Sequence, residues 1–222
     1  MRVLVTGGAG FLGSHLCESL LVDFHEVCAI DDMFRGRKRN LESCKSSAAE
    51  IGVPFHLVMK DGALAASYET ALKRLNGSVD VVYHLAAING TRWFNERPDL
   101  VARVNLSTLQ MALDFAVTNG ARFVFTSSPE AFGDQQNMPI TSNSDSQFAS
   151  SSIHQRHSYG ASKYLGELLI QHAVKTHSLD ARIVRPFNSY GPRLPGDSHG
   201  QALSLIHISE PTRRTPISYA VF

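Results

Sequence analysis

The sequence predicts an α/β fold in which helices cover both faces of a parallel β-sheet, the arrangement called doubly wound. Short apolar runs alternate along the chain with longer segments of helical periodicity. The apolar runs are too short for helices and fit strands that are covered on both faces. The predicted strands lie near residues 2–6, 26–30, 55–59, 79–85, 121–127 and 181–185.

The first predicted strand leads directly into a glycine-rich turn. Residues 3–5 form the strand, residues 11–21 form the following helix, and Gly7, Gly10 and Gly13 stand three apart between them. The first glycine of such a triplet allows a tight turn, the second admits a pyrophosphate, and the third lets the helix pack closely on the strand. The helix N-terminus then offers free N–H groups to the phosphates. This unit predicts a Rossmann-type dinucleotide site.

An acidic pair ends the second predicted strand. Asp31 follows residues 26–30, and Asp32 stands beside it. This spacing suits a carboxylate that accepts hydrogen bonds from the adenosine ribose hydroxyls. We therefore expect the dinucleotide to be NAD and not its 2′-phosphorylated form. The basic run at residues 35–39 is typical of a solvated loop, which can also lie near the adenosine phosphates.

The middle of the chain predicts a long helix and a long loop. The helix runs from about Pro98 to Asn119, where Gly120 supplies the stop signal. Residues 134–157 are rich in Ser, Gln and Asn and predict a surface loop. Long loops in compact domains are often functional.

Composition limits the partners of the chain. Its 222 residues are 43% hydrophobic, which is enough for a full core, and its formal net charge is +1. We therefore expect no nucleic-acid or membrane partner. The chain contains no apolar stretch long enough to span a bilayer, and its three cysteines show no paired spacing. From these two features we expect a soluble, cytoplasmic protein. The ten histidines show no ligand spacing, so we expect no metal.

A tyrosine and a lysine predict acid/base chemistry. Tyr159 and Lys163 stand four residues apart on a predicted helix and so share a face. The ammonium is then expected to lower the pKa of the phenol, which can remove a proton from a sugar or alcohol hydroxyl. Such a pair alone arises by chance more often than through catalysis. Its position after a nucleotide fold and after Ser128 favours catalysis.

These motifs together resemble the extended short-chain dehydrogenases/reductases of the NAD-dependent epimerase/dehydratase family, which act on nucleotide sugars. The resemblance covers roughly residues 1–200. It implies that Ser128, Tyr159 and Lys163 are catalytic, that Asn188 contacts the substrate, and that Asn105 is structural. It also implies a set of cofactor contacts, namely Gly7, Gly10, Phe11, Leu12, Gly13, Asp31, Asp32, Asp61, Leu85, Ala86, Ala87 and Lys163.

The type of reaction depends on the residues after Ser128. In the dehydratases and decarboxylases of the family a glutamate stands two places after the hydroxyl residue, and Glu130 stands there in this sequence. Dehydratases that use an Asp-Glu pair have aspartate where this chain has Pro129, which argues against that mechanism. A decarboxylase or an epimerase needs no such acid. Glu130 is interpreted as a catalytic residue or, equally, as an exposed loop residue.

The resemblance implies an NAD-dependent nucleotide-sugar epimerase/dehydratase or decarboxylase that works through transient oxidation at sugar C4. The substrate is expected to be UDP-linked, and the full-length protein a homodimer. One alternative is an NAD(P)-dependent reductase of a small carbonyl compound. Another is a catalytically silent NAD-binding scaffold, against which the intact Tyr159 and Lys163 pair speaks.

The end of the chain departs from this pattern. We expect residues 1–202 to form the NAD-binding domain with its catalytic helix, and residues 203–222 to be an atypical tail. The tail resembles translated adapter or vector sequence, although a divergent natural C-terminus is the alternative. The expectation is a truncated substrate lobe, and a chain that keeps the cofactor half of the site but turns over nucleotide sugar poorly or not at all.

Overall fold

The protein forms one six-stranded parallel sheet, described by a computed structural model for residues 1–136, 138–153 and 155–195. The strands are β1 (Arg2–Thr6), β2 (Glu26–Ile30), β3 (Phe55–Val58), β4 (Val81–His84), β5 (Arg122–Thr126) and β6 (Ala181–Val184). Their order is β3-β2-β1-β4-β5-β6, and every neighbouring pair is parallel. The predicted doubly wound, Rossmann-type fold is confirmed. The predicted boundary at residue 202 and the tail lie outside the described residues.

Six helices connect these strands. They are α1 (Phe11–Val22), α2 (Glu42–Ile51), α3 (Ala65–Arg74), α4 (Thr91–Glu96), α5 (Pro98–Asn119) and α6 (Ser158–His177). Two short 3₁₀ turns, Lys38–Leu41 and Pro129–Phe132, complete the described elements. Among the helices that the structure describes, none combines the length and the apolar character needed to cross a bilayer.

The sheet has a hydrophobic core on each face. Side chains alternate between the faces of a strand. Val3 and Val5 accordingly pack with α1 and α2, while Leu4 between them packs with α3, α5 and α6. All three are fully buried. Burial on both faces explains why the central strand β1 is mostly apolar.

The predicted bounds of the long central helix are correct. Pro98 occupies the first turn of α5, where its missing N–H is no loss. Gly120 ends the helix with a φ of 63°, a left-handed conformation that glycine adopts without steric cost. This helix packs against α6, and the two helices cover the same face of the sheet.

The fold creates a crevice at the carboxyl ends of the strands. Strands β1 and β4 are neighbours, and the chain leaves them toward opposite sides of the sheet. Ligands of doubly wound proteins bind in the crevice at this switch point. The described part of the predicted loop at residues 134–157 contains neither helix nor strand, only an isolated bridge from Gln147 to Gly133.

Candidate active site

The glycine turn after β1 brings α1 close to the strand ends. Gly7 has a φ of 71°, in the left-handed region that favours glycine. Its N–H donates to the carbonyl of Ile30 at 2.8 Å, which ties the turn to the end of β2. A Cβ on Gly7 would lie 2.7 Å from the backbone nitrogen of Ala86, and a Cβ on Gly13 would overlap the carbonyl of Gly7. Side chains at these two positions would therefore force the turn open.

A first cavity of about 310 Å³ lies between this turn and the ends of β2, β3 and β4. Asp31 is the buried acid at its wall, and its carboxylate accepts hydrogen bonds from the backbone N–H groups of Ala9 and Met33, both at 2.9 Å. Burial raises the pKa of Asp31, and these two hydrogen bonds oppose the rise. The predicted cofactor residues that border this cavity are Gly7, Gly10, Asp31, Asp32, Asp61, Leu85, Ala86 and Ala87.

Two further carboxylates make the first cavity acidic. Asp32 and Asp61 are exposed and accept hydrogen bonds from the backbone N–H groups of Phe34 and Ala63. The cation that borders the same cavity is Arg35. Three carboxylates around one arginine favour a ligand that offers hydroxyl groups over one that offers a further phosphate.

A second cavity of about 160 Å³ continues the first along the N-terminus of α1. Gly7, Gly10 and Leu85 border both cavities, so the two cavities are adjacent. The predicted residues that border the second cavity are Gly7, Gly10, Phe11, Leu12, Gly13, Leu85, Ala87, Tyr159 and Lys163.

A third cavity of about 240 Å³ completes the cleft. Ser128, Glu130 and Asn188 border it, and it shares Tyr159 with the second cavity. We call the three cavities together the active-site cleft. Every predicted catalytic, cofactor and substrate residue borders this cleft, and the Tyr159 side chain lies where its second and third cavities meet.

Tyr159 is held in a nearly dry environment. Its side chain is 6% exposed and stacks on Phe94 with ring centroids 5.0 Å apart. Burial raises the pKa of the phenol, the charge of Glu130 raises it further, and a hydrogen bond with Ser128 opposes the rise. The prediction that Lys163 lowers this pKa is therefore wrong for the chain alone, because desolvation outweighs the favourable contacts.

The ammonium of Lys163 points to the sheet. Its Nζ donates to the carbonyl of Thr126 at 2.7 Å and lies 4.8 Å from the ring centroid of Phe125. Burial lowers the pKa of Lys163 to about 7, and the charge of Glu167 opposes this fall. The side chain thus borders the second cavity with a charge that is easily lost near neutral pH.

Sequence reasoning missed the acid that supports this lysine. Glu167 is buried and accepts hydrogen bonds from the hydroxyl of Ser127 and from the guanidinium of Arg185, whose Nε lies 2.8 Å from Oε1. The i, i+4 spacing from Lys163 was the available signal, since such residues share a helix face. This network joins α6 to the ends of β5 and β6, which carry the residues of the third cavity.

Ser128 and Glu130 begin a 3₁₀ turn at the third cavity. The hydroxyl of Ser128 accepts a hydrogen bond from the N–H of Glu130 at 3.2 Å and so caps the turn. Glu130 is an exposed residue, yet partial desolvation of its carboxyl raises the pKa of that group. The charges of Arg156 and His157 oppose this rise. A carboxyl in this position can give or take a proton at the cavity wall.

Asn105 connects three parts of the site. Its Oδ1 accepts from the N–H of Ile88 at 2.7 Å, and its Nδ2 donates to the hydroxyl of Ser162 at 3.2 Å. The central helix therefore fixes both the loop after β4 and the helix that carries Tyr159. This arrangement agrees with the structural role that the resemblance implies.

His84 lies under the site as a neutral side chain. It is 1% exposed, its Nδ1 lies 2.8 Å from the hydroxyl oxygen of Thr6, and its ring stacks on Phe123 and Phe125. Burial and the charge of Lys163 lower its pKa to about 3. Within the part of the chain that the structure describes, no three His, Cys, Asp or Glu side chains come together as a metal site.

Comparisons with known proteins agree with this geometry. A sequence model of the NAD dependent epimerase/dehydratase family matches residues 3–210. The chain is 33% identical over 194 residues to UDP-glucuronic acid decarboxylase 1 of Danio rerio, covering 87% of this chain and 42% of that protein. It is 32% identical over 219 residues to UDP-glucose 4-epimerase of Mycolicibacterium smegmatis, covering 95% of this chain and 62% of that protein.

The chain is also similar to a solved structure of an epimerase. The UDP-glucose 4-epimerase of Thermus thermophilus, in complex with NAD, matches with a TM-score of 0.75 at 29% identity, covering 94% of this chain and 61% of that one. The two curated relatives are longer than the chain, which spans 42% of the first and 62% of the second.

Proposed function

The chain belongs to the NAD-dependent epimerase/dehydratase family, and on that premise we propose that it binds NAD and acts on a UDP-linked sugar in the adjoining cavity. The single observation that carries this proposal is the position of Tyr159, whose side chain borders both the second and the third cavity. A group placed there can exchange a proton with a sugar hydroxyl on one side while a cofactor occupies the other side.

The residues of the cleft fit NAD. The tight glycine turn leaves the N-terminus of α1 open to a diphosphate, and Asp31 at the far wall suits the two ribose hydroxyls of adenosine. When bound, NAD supplies a hydride acceptor for oxidation of the sugar at C4. The relatives known as solved structures include epimerases in complex with NAD.

We assign the proton transfer to three side chains. Tyr159 takes the proton of the sugar 4-hydroxyl, and Ser128 orients that hydroxyl through the hydrogen bond that it shares with Tyr159. Lys163 is buried at the wall of the second cavity, and its ammonium places a positive charge 5.6 Å from the centroid of the Tyr159 ring. Since burial and the charge of Glu130 both raise the pKa of Tyr159, we assign to this ammonium the stabilisation of the phenolate while the proton is away.

Glu130 is the proposed determinant of the reaction after oxidation. Its carboxyl borders the sugar cavity together with Asn188, the proposed substrate contact. In a 4-keto sugar that carries a C5 carboxylate, that group is lost as carbon dioxide because it stands β to the ketone, and C5 then needs a proton. A carboxyl with a raised pKa is suited to deliver it. We therefore rank decarboxylation, a lyase reaction, above simple epimerisation.

The proposal extends to assembly and location. Tyr164, Leu165 and Leu168 expose apolar surface on α6, beside its contact with α5. We propose that a second copy of the protein covers this face in a homodimer, and that the enzyme is cytoplasmic. Sedimentation of the wild type against Leu168→Glu tests the dimer, since a charge at the contact should yield monomer.

The test of function uses the complete gene product, because the relatives are longer than this chain. The protein is incubated with NAD and either UDP-glucuronic acid or UDP-glucose, and the products are separated by chromatography. Release of carbon dioxide from UDP-glucuronic acid supports the lyase, and isomerisation of UDP-glucose to UDP-galactose supports the epimerase. Oxidation of NADPH by small carbonyl compounds supports a reductase instead, and NAD binding without turnover of any substrate supports the silent scaffold.

A further inference from the structure

An arginine in the segment after β6 bonds to helices on the other side of the cleft. Arg193 Nη2 donates to Glu18 Oε2 at 2.6 Å and to the hydroxyl of Ser43 at 2.7 Å. The carbonyl of Pro192, one residue earlier, lies 3.0 Å from Nε2 of His15. The segment is thus joined to α1 and α2. These helices connect strands β1, β2 and β3, which lie at the other end of the sheet from β6.

This contact is more than a passing surface pair. The side chain of Arg193 is 19% exposed, so most of the charged group is shielded from water. Burial raises the pKa of Glu18, but hydrogen bonds from Arg193 and Ser43 outweigh it and the net shift is downward. Arg193 also holds a φ of 70°, a left-handed conformation that a residue with a side chain adopts at a cost.

The fastened segment forms a wall of two cavities. Leu194 and Pro195 border the second cavity, together with Tyr159 and Lys163. Residues 186–189, earlier in the segment, border the third cavity. At its other end the segment is held by the bond between Arg185 and Glu167. We call residues 186–195 the strap. Arg185 and Arg193 each bond a glutamate, and these two bonds hold the part of the strap that lies between them.

We propose that Arg193 is a positioning residue whose bond to Glu18 holds the strap closed and thereby slows the release of the dinucleotide. The inference rests on the proposed function, since it takes NAD as the occupant of the second cavity. Opening the bond frees Leu194 and Pro195 to move away from that cavity. The strap then controls how long the cofactor stays bound, without touching the reacting atoms.

The experiment measures the rate at which NAD leaves the protein. NAD-loaded protein is mixed with excess competing dinucleotide, and dissociation is followed by fluorescence for the wild type, Arg193→Met and the matched control Arg182→Met. Arg182 is an exposed arginine on β6 that pairs with Asp180. We expect Arg193→Met to release NAD at least about tenfold faster, since hydrogen bonds between charged groups are lost. Arg182→Met should match the wild type, and Arg193→Lys should restore part of the slow release.

A second variant guards against a folding defect. Glu18→Ala removes the acceptor on α1, and the double variant with Arg193→Met should release NAD no faster than Arg193→Met alone. Thermal unfolding of all variants shows whether they fold. Release at the wild-type rate from an NAD-binding Arg193→Met or Glu18→Ala variant overturns this inference alone. A wild type that binds no NAD overturns the proposed function and the inference with it.

Discussion

Lys163 follows Tyr159 by one turn of α6, and its ammonium lies 5.6 Å from the centroid of the tyrosine ring. The ammonium donates to the carbonyl of Thr126 at the end of β5, so the sheet and not the phenol fixes its position. The two side chains are therefore held by different contacts, Lys163 by the carbonyl of Thr126 and Tyr159 by its stacking on Phe94. Tyr159 borders both the second and the third cavity, while Lys163 places its positive charge at the wall of the second cavity.

Replacement of the lysine tests this division. Lys163→Met removes a charge that borders the second cavity, so we expect weaker NAD binding as well as lower turnover. Calorimetric titration of NAD and steady-state kinetics measure the two effects. Lys175→Met, near the exposed end of the same helix, is the matched control and should change neither. Full NAD affinity in Lys163→Met would place the lysine outside the cofactor site.

Asp31 is expected to select between the two dinucleotides. Its buried carboxylate would face the extra phosphate of NADP, so we expect NAD to bind at least about tenfold tighter, a difference of about 1.4 kcal/mol. Asp31→Asn should reduce this preference by removing the charge while keeping the shape. Titration of both cofactors by calorimetry measures it. Equal affinities in the wild type would mean that Arg35 or Arg37 neutralises the site, and the assignment of Asp31 would then be wrong.

Asn105 is expected to stabilise the fold around the site. Asn105→Ala leaves the buried N–H of Ile88 without its acceptor, so we expect a loss of about 1–3 kcal/mol in the free energy of unfolding. Urea denaturation measures the loss. Asn119→Ala is the control on the same helix, because its side chain is exposed and bonds only within the last turn. Similar stabilities for the two variants would show that the Asn105 contacts carry no net energy.

His84 is expected to make the protein sensitive to acid. Its pKa is about 3 in the folded chain against an ordinary value of 6.5. The unfolded chain therefore binds a proton first, and the stability present above pH 6.5 is lost as the pH falls toward 3. We expect this group to cost about 2 kcal/mol by pH 5.

The variant His84→Gln isolates that contribution. Its free energy of unfolding, measured in urea, should fall less between pH 7 and pH 5 than that of the wild type. His172→Gln changes an exposed histidine on α6 and should keep the wild-type slope. Parallel slopes for the wild type and His84→Gln would contradict a neutral buried imidazole.

The sequence predicted those parts of the molecule that depend on local pattern. Apolar runs located the six strands to within two residues, and the order of motifs around Gly7, Asp31, Ser128 and Tyr159 located the cleft. These features succeed because strand periodicity and glycine spacing are properties of neighbouring residues. The meeting of the motifs in one cleft follows from the parallel topology.

The remaining features depend on contacts between distant residues. Arg193 and Glu18 are 175 positions apart, and no periodicity connects them. The upward shift in the pKa of Tyr159 comes from burial, which the spacing to Lys163 does not report. Glu167 lay within reach of the helix pattern, but its partner Arg185 is on another element, so its role became visible only in the assembled fold.

The replacement of Tyr159 by phenylalanine tests the central claim most directly. Rates of UDP-sugar turnover and NAD affinities are measured for the wild type, Tyr159→Phe and the control Tyr164→Phe, which changes an exposed tyrosine on the same helix. We predict that Tyr159→Phe keeps nearly full NAD affinity and loses about 10²–10⁴-fold in turnover, the usual contribution of a positioned acid/base, while Tyr164→Phe retains both. Wild-type turnover in Tyr159→Phe would contradict this assignment, because Tyr159 would then be structural and not the acid/base between the two cavities.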